Sequence, residues 1–394
     1  REQLYIEALD QLLPKAKDED AEEKKPDRDA EKEAKQERTR RYLATMEKVL
    51  DESPDDIEAR AFIVVQLWMA ERVGIKMASR YATNALLGEI FAKNPNHPAH
   101  HYRIHLWDRR RPENALESSA NCGPASPGIA HMWHMPGHIY SRLKRYDDAV
   151  YQQEASARVD HSHMIRTRLM PDEIHNFAHN NEWLVRNLVF IGRVNDALDQ
   201  SRNLVSLPRH PRFNTLKKGG SHRYGRQRLL QVLSEYGLWE QMLSEAGGHF
   251  LPPTDNEAAQ EEWLGWLAVA QYMTGDTKQG GRTRRSLQRR RLALQESLLD
   301  LQDRASEQDE VEDDESQADL EEEGEDDEEE PATADEIRKH TKQLRKVIAR
   351  VNAAAATKRQ DVKVLKEQLD VAGVESLIKA QWLADAGDLD EALK

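Results

Sequence analysis

The chain has 394 residues, of which 38% are hydrophobic and 32% charged, a composition that fits two or three helix-rich domains and leaves no apolar run long enough to cross a membrane. The formal charge of −14 is local: residues 307–330 carry 17 acidic and no basic side chains, so the remainder sums to +3 and partner arguments from net charge concern that tract alone. The single cysteine, Cys122, excludes an internal disulfide framework and any Cys-rich zinc module, and it leaves the compartment open.

In chain order, residues 1–39 read as a helix (Gln3–Leu13) followed by a charged run, Lys15–Arg38, nearly devoid of hydrophobes and therefore a solvated helix or a disordered connection. Residues 40–281 read as repeated helical hairpins. A helix at Arg40–Glu52 and a hairpin over Asp56–Ala92 come first. In His131–Asp160 the residues Gly137, Tyr140, Leu143, Tyr146, Ala149 and Ser156 punctuate a helix–turn–helix, and Ala115 precedes Ala149 by 34 positions. Pro95 and Pro127 close the second helices of neighbouring units. Leu184, Leu188, Gly192, Ala197, Leu204 and Pro208 repeat the template, with weaker copies at Leu230–Met242 and Leu267–Gly280. A period of 34 is that of the tetratricopeptide repeat, in which small residues let helices cross closely and each hairpin buries its apolar face only against the next.

Residues 282–372 change character. Leu287, Leu294, Leu298 and Leu301 keep heptad spacing, as do Ile337, Leu344, Ile348, Val351, Ala355, Val362, Leu365 and Leu369. Two heptad segments joined by a polar stretch predict an antiparallel coiled-coil hairpin with a disordered acidic loop at 307–330. Six arginines in Arg282–Arg291 are either the electrostatic counterpart of that loop or a second solvated charge run. In 373–394, Ala384, Gly387 and Ala392 open a further unit that the chain does not complete, and with Arg1 as the first residue the sequence reads as a fragment. The expected fold is all-α, a tetratricopeptide-like α-solenoid carrying an inserted coiled-coil hairpin.

The chemistry concentrates in histidine. Eleven of the fifteen histidines lie between His97 and His179. His101 and His105 are four apart, as are His134 and His138, with His131 three before His134; His175 and His179 repeat the spacing. Residues three and four apart share a helix face. Counting back from Ala149 places His131, His134 and His138 on the groove-lining face of a first helix. A one-residue shortening of the turn at Arg109–Pro112 puts His101 and His105 on the same face of the preceding unit. Counting from Ala197 places His179, Glu182 and Arg186 on that face of the following one. Three first helices then aim imidazoles, a carboxylate and a guanidinium into one concave trough.

Three readings of that trough stand open. HxxxH pairs completed from a neighbouring helix chelate a transition metal such as copper, zinc or iron, with Met132 and Met135 favouring copper. Imidazoles with Arg186 bind an acidic peptide, protein or small-molecule ligand in a pH-sensitive way. Alternatively each histidine bonds a neighbouring repeat and the cluster is structural. A metalloenzyme would use Glu182 as acid or base and Arg186 as an anion anchor.

Other features are quieter. His161 and His163 fall in a connection that exceeds the repeat length by 14 residues, an expected loop able to cover the trough. Trp107, Trp133 and Trp183 read as packing between repeats. Cys122 falls in a turn with no base assigned, so no nucleophile is expected there. No Gly-rich phosphate loop, HExxH or GxSxG occurs, and the arginine run lacks interleaved aromatics, which disfavours nucleic acid.

His97-Pro98, the run His101-Tyr102-Arg103-Ile104-His105 and the run His131-Met132-Trp133-His134-Met135-Pro136-Gly137-His138-Ile139-Tyr140 resemble a bacterial family of tetratricopeptide proteins with motifs of the type HPxxxHYxIH and HxxHMPxHIY. The resemblance covers Asn94–Leu198 and implies the repeat fold and the histidine pattern, without an activity. Gly137 stands where the family usually has Ser, and the shortened turn and the acidic hairpin are further departures.

Overall fold

The structure, a computed structural model, describes residues 1–14, 28–174, 176–210, 212, 214–216, 219–312 and 333–371. Among these, every regular element is helical: fifteen α-helices with three short 3-10 turns, the all-α hairpin architecture that the repeat pattern predicts. No helix among them is long and apolar enough to cross a membrane. Most of the acidic tract, the first part of the N-terminal charged run, His175 and the expected final unit at 373–394 lie outside the described residues.

The helices form two units, one comprising Arg1–Ala197 with Pro208–His210, the other Leu198–Leu207 and the described residues from 212 onward. In the first unit nine helices succeed one another: α1 (Glu2–Leu12), α2 (Arg28–Glu52), α3 (Ile57–Ala70), α4 (Arg80–Lys93), α5 (His100–Trp107), α6 (Leu116–Ala125), α7 (Ala130–Arg142), α8 (Tyr146–Thr167) and α9 (Phe177–Phe190). Each packs on the next, and the alternate helices α3, α5, α7 and α9 also touch in series, as first helices of stacked hairpins do. Side chains set the helix starts: Asp56 accepts from the backbone N–H of Glu58 and Ala59, and Ser79 accepts from that of Ala82. The turn from α7 to α8 runs through Lys144 at φ 59°, and Arg145 N–H donates back to Tyr140 C=O. Gly192 occupies the same left-handed position after α9 at φ 75°, with Arg193 N–H on Leu188 C=O, so one C-terminal motif recurs in successive hairpins. A continuous core runs through this stack, with Leu87, Ile90, Ile104, Trp107, Cys122, Met132 and Ile139 in contact and nearly or fully buried.

Two expectations change. Cys122 lies within α6 rather than in a turn, because the shortened connection is absorbed by a 3-10 turn over Pro112–Ala115. His161 and His163 sit exposed on the last turns of α8, which simply runs 22 residues instead of ending in a loop.

α10 (Val194–Ser206) passes from the first unit into the second, which continues with α11 (Ser221–Glu235), α12 (Trp239–Ala246), α13 (Glu257–Met273), α14 (Thr277–Glu312) and α15 (Ala334–Val371). The heptad faces of α14 and α15 do not serve only each other. Leu287, Leu344, Ile348, Val351 and Ala355 close on Ala268, Val269 and Tyr272 of α13, so three helices share the seam. Arg350 reinforces it with hydrogen bonds of 2.9 and 3.2 Å to Glu262 while lying 4.0 Å from the Trp266 ring. Val362, Leu365 and Leu369 are beyond the side chains described.

At Gly265 of α13 a Cβ would collide with Val347 Cγ1 of α15, whereas one at Gly88 would meet open space. Gly265→Ala is expected to destabilise the second unit by about 1–3 kcal/mol through overpacking. Gly88→Ala should be neutral or stabilising by up to about 1 kcal/mol through helix propensity. Thermal unfolding followed by circular dichroism checks both, and equal melting temperatures for the two variants would contradict the packing described.

Candidate metal centre

Three first helices bring the histidines together. α5 supplies His101 and His105, α7 supplies His131, His134 and His138, and α9 supplies His179. The rings divide into two triads, His101 with His105 and His131, and His134 with His138 and His179. Within each triad one nitrogen per ring lies within 4.8 Å of the other two. The triads adjoin through α7, where the His131 and His134 ring centroids are 5.8 Å apart.

Supporting contacts fix the rings. His134 is fully buried, and Gln153 of α8 grips it twice: Nε2 donates to the His134 carbonyl at 3.1 Å, while Oε1 lies 2.8 Å from Nδ1. A carbonyl can only accept, so the amide orientation is determined. Nδ1 must then carry the proton, which leaves Nε2 of His134 with a lone pair. That Nε2 lies 2.8 Å from Nε2 of His138. A proton on Nε2 of His138 fits between the two nitrogens, and its buried Nδ1 has no hydrogen-bond partner among the described residues. Were both Nε2 lone pairs to hold a metal, the His138 proton would sit on Nδ1, which faces Asp108 Oδ2 at 3.8 Å, the carboxylate–histidine arrangement usual behind a metal ligand. Burial alone would raise the Asp108 carboxyl, but His138 and Arg142 (Nε–Oδ1 2.6 Å) outweigh it and hold the group at about 2.

The other triad is held by stacking. Trp68 lies against His105 with centroids 4.4 Å apart, as Trp183 lies against His138 at 4.0 Å. Asn176 Nδ2 reaches Nδ1 of His131 at 3.0 Å, and Nε2 of His101 is buried with no hydrogen-bond partner among the described residues. Burial, reinforced by neighbouring imidazoles, pushes His101 down to about 3 and His105 to about 4, and drives His134 well below its ordinary value. These rings are therefore neutral at neutral pH, the state that ligates.

Not every histidine here serves the centre. His97 accepts from Ala99 N–H and donates to Glu58, and His100 bridges Ser118 and the Pro95 carbonyl while stacking on Phe91, so both hold α5 in place. Glu182 lies beside His179 (Oε2–Nδ1 3.9 Å), and Arg186 stacks over Trp183. Neither lines the 770 Å³ cleft onto which His105, His131, His134, His138 and His179 open; the charged groups at that cleft are Arg72, Arg80, Glu71, Asp108, Arg109 and Arg110. Burial pushes the Cys122 thiol up to about 12, which removes it as a nucleophile. Asp108, Gln153, Trp68 and Asn176 touch these rings, and the pattern of histidines did not point to them. Hairpin geometry carries a faint signal for one of them, since Ser118 and Gln153 follow their histidine partners by 18 and 19 positions.

Comparison of the chain with protein-family models and with curated proteins gives no match, so the chemistry rests on the geometry of the site itself.

Because unfolded imidazoles protonate near 6.5 and His101 and His105 resist protonation down to about 3 and 4, the unfolded chain binds more protons across that interval. Stability of the metal-free protein is then complete above about pH 6.5 and falls as pH drops towards 4. Urea unfolding in EDTA at stepped pH measures this. A His101→Gln, His105→Gln variant should show a shallower slope, and an unchanged slope would refute the burial argument.

Proposed function

We propose that the first unit binds transition-metal ions through the two histidine triads, His101/His105/His131 and His134/His138/His179, and presents them to a small molecule in the adjoining cleft. The observation that carries this reading is the convergence of three ring nitrogens within 4.8 Å in each triad. Each triad brings the imidazole number of an open, three-ligand site, in which a fourth position is left for solvent or substrate. Gln153 behind His134 and Asp108 behind His138 are the supporting contacts such a ligand set needs. The cleft volume of 770 Å³ lies in the range of small-molecule sites. Imidazole donors suit copper, zinc, iron or nickel rather than magnesium or calcium. The resemblance to histidine-rich tetratricopeptide proteins agrees with a repeat scaffold that builds its site across hairpins, and we read the first unit in that way.

Elemental analysis of the full chain, produced without a polyhistidine tag, should find two transition-metal ions per chain. His134→Ala with His138→Ala should remove one of them while helix content by circular dichroism is retained. Gln153→Leu, which keeps every ligand, should weaken binding about 10- to 100-fold. A metal-free chain that also fails to take up copper or zinc on titration, with the variants merely melting earlier, would reduce the cluster to a structural one.

A further inference from the structure

The two triads are close enough to act as one centre. Resting on the metal-binding reading above, we propose that they hold a coupled pair of copper ions and that, in the reduced state, the pair binds dioxygen between its two metals.

The argument starts from α7. His131 and His134 belong to different triads yet are three residues apart, with ring centroids 5.8 Å apart and planes inclined by only 24°. A metal sits about 2 Å beyond its ring nitrogen. Two metals held from these neighbouring rings can therefore approach the separation of about 3.5–4 Å that a shared oxygen ligand spans.

The donor set selects the metal. Each triad is composed of imidazoles alone. The nearby carboxylates have other partners: Asp108 pairs with Arg142 at 2.6 Å, Glu71 with Arg80 at 2.7 Å, and Glu182 lies beside His179. None of the six imidazoles is shared between the triads, so the ligand that spans the proposed pair comes from outside that set. Carboxylate-poor, imidazole-rich sites disfavour manganese and non-haem iron, and copper stands at the top of the divalent affinity order. Trp68 and Trp183, stacked on His105 and His138, hold a ligand of each triad within aromatic surroundings.

The bridging positions face the cleft lined by five of the six histidines. Two cuprous ions there each give one electron to dioxygen. Two Cu–O bonds form, the O=O double bond falls to the single bond of a bound peroxide, and both coppers become cupric. No proton is consumed, and the reverse transfer releases dioxygen. An external one-electron reductant, such as ascorbate, generates the cuprous pair from the cupric one.

The test uses the full, tag-free chain, stripped with EDTA and reloaded with cupric ion. We expect two coppers per chain with most of the paramagnetic resonance intensity missing, because a bridged pair couples its spins. His105→Ala and His179→Ala, both at partly exposed positions, should each retain one copper with its full signal. Chemical reduction without air, followed by measured additions of dioxygen, should consume one dioxygen per two coppers in the parent and none in either variant. Two coppers with full intensity would overturn the coupling and leave metal binding standing. One copper in the parent would overturn the pair, and none would overturn the pair and the metal reading together. A coupled pair that takes up no dioxygen would overturn the ligand assignment.

Discussion

Gln153 reaches across from α8 to α7 and satisfies both the carbonyl and the imidazole Nδ1 of His134, and this double contact sets the terms for the rest of the site. It is possible only because α7 carries glycine at position 137, where a Cβ would overlap the Gln153 amide. Ser156, one helical turn further on, donates to the Ala130 carbonyl, so α8 is bonded to α7 at two levels. α7 also contains Pro136, which has no N–H to give the preceding turn. Side chains from α8 thus bond the carbonyls of Ala130 and His134 on α7, and the Gln153 contact selects the tautomer of its central histidine.

Concentrating imidazoles in a packed interior is tolerable only while they stay uncharged. A protonated ring beside four or five others would meet both desolvation and like-charge repulsion, and these are the two causes that depress His101, His105 and His134. Neutral rings escape the repulsion but can leave a nitrogen unsatisfied, as at Nε2 of His101. An unpaired buried polar atom costs about 1–3 kcal/mol. His97 and His100 show the alternative, since each finds protein partners for both ring nitrogens. They differ in this from His101, whose buried Nε2 has no hydrogen-bond partner among the described residues.

Much of this was legible in the residues and some was not. The i, i+3 and i, i+4 spacings on His101/His105 and His131/His134/His138 forced the rings onto one face of each helix, and the 34-residue period implied that those faces adjoin. The roles of His97 and His100 were hidden because their partners, Glu58, Pro95 and Ser118, are set by the crossing of helices rather than by local order. Asp108 and Gln153 were missed for the same reason. The length of α8 defeated the expectation of a loop at His161 and His163, since nothing local in that charged stretch stops a helix. The heptads of α14 and α15 pointed to Leu287, Ile337, Leu344, Ile348, Val351 and Ala355, which are buried, but not to the third helix, because spacing reports that a face is covered and not by what.

The stacking of hairpins explains why the ligands divide as two, three and one among α5, α7 and α9. A middle helix has a neighbour on each side of its groove face, so successive turns of α7 can address different partners: His131 looks towards α5, His134 and His138 towards α9. The outer helices face the cluster from one side only. A triad therefore needs two adjacent hairpins, and a pair of triads needs three in register. Any ion bound across them favours the stacked state over one in which a hairpin has opened, by an amount set by its concentration relative to its dissociation constant. Under the proposed reading, metal occupancy and the integrity of the stack would be a single equilibrium, with the Gln153 contact that holds α8 against α7 common to both.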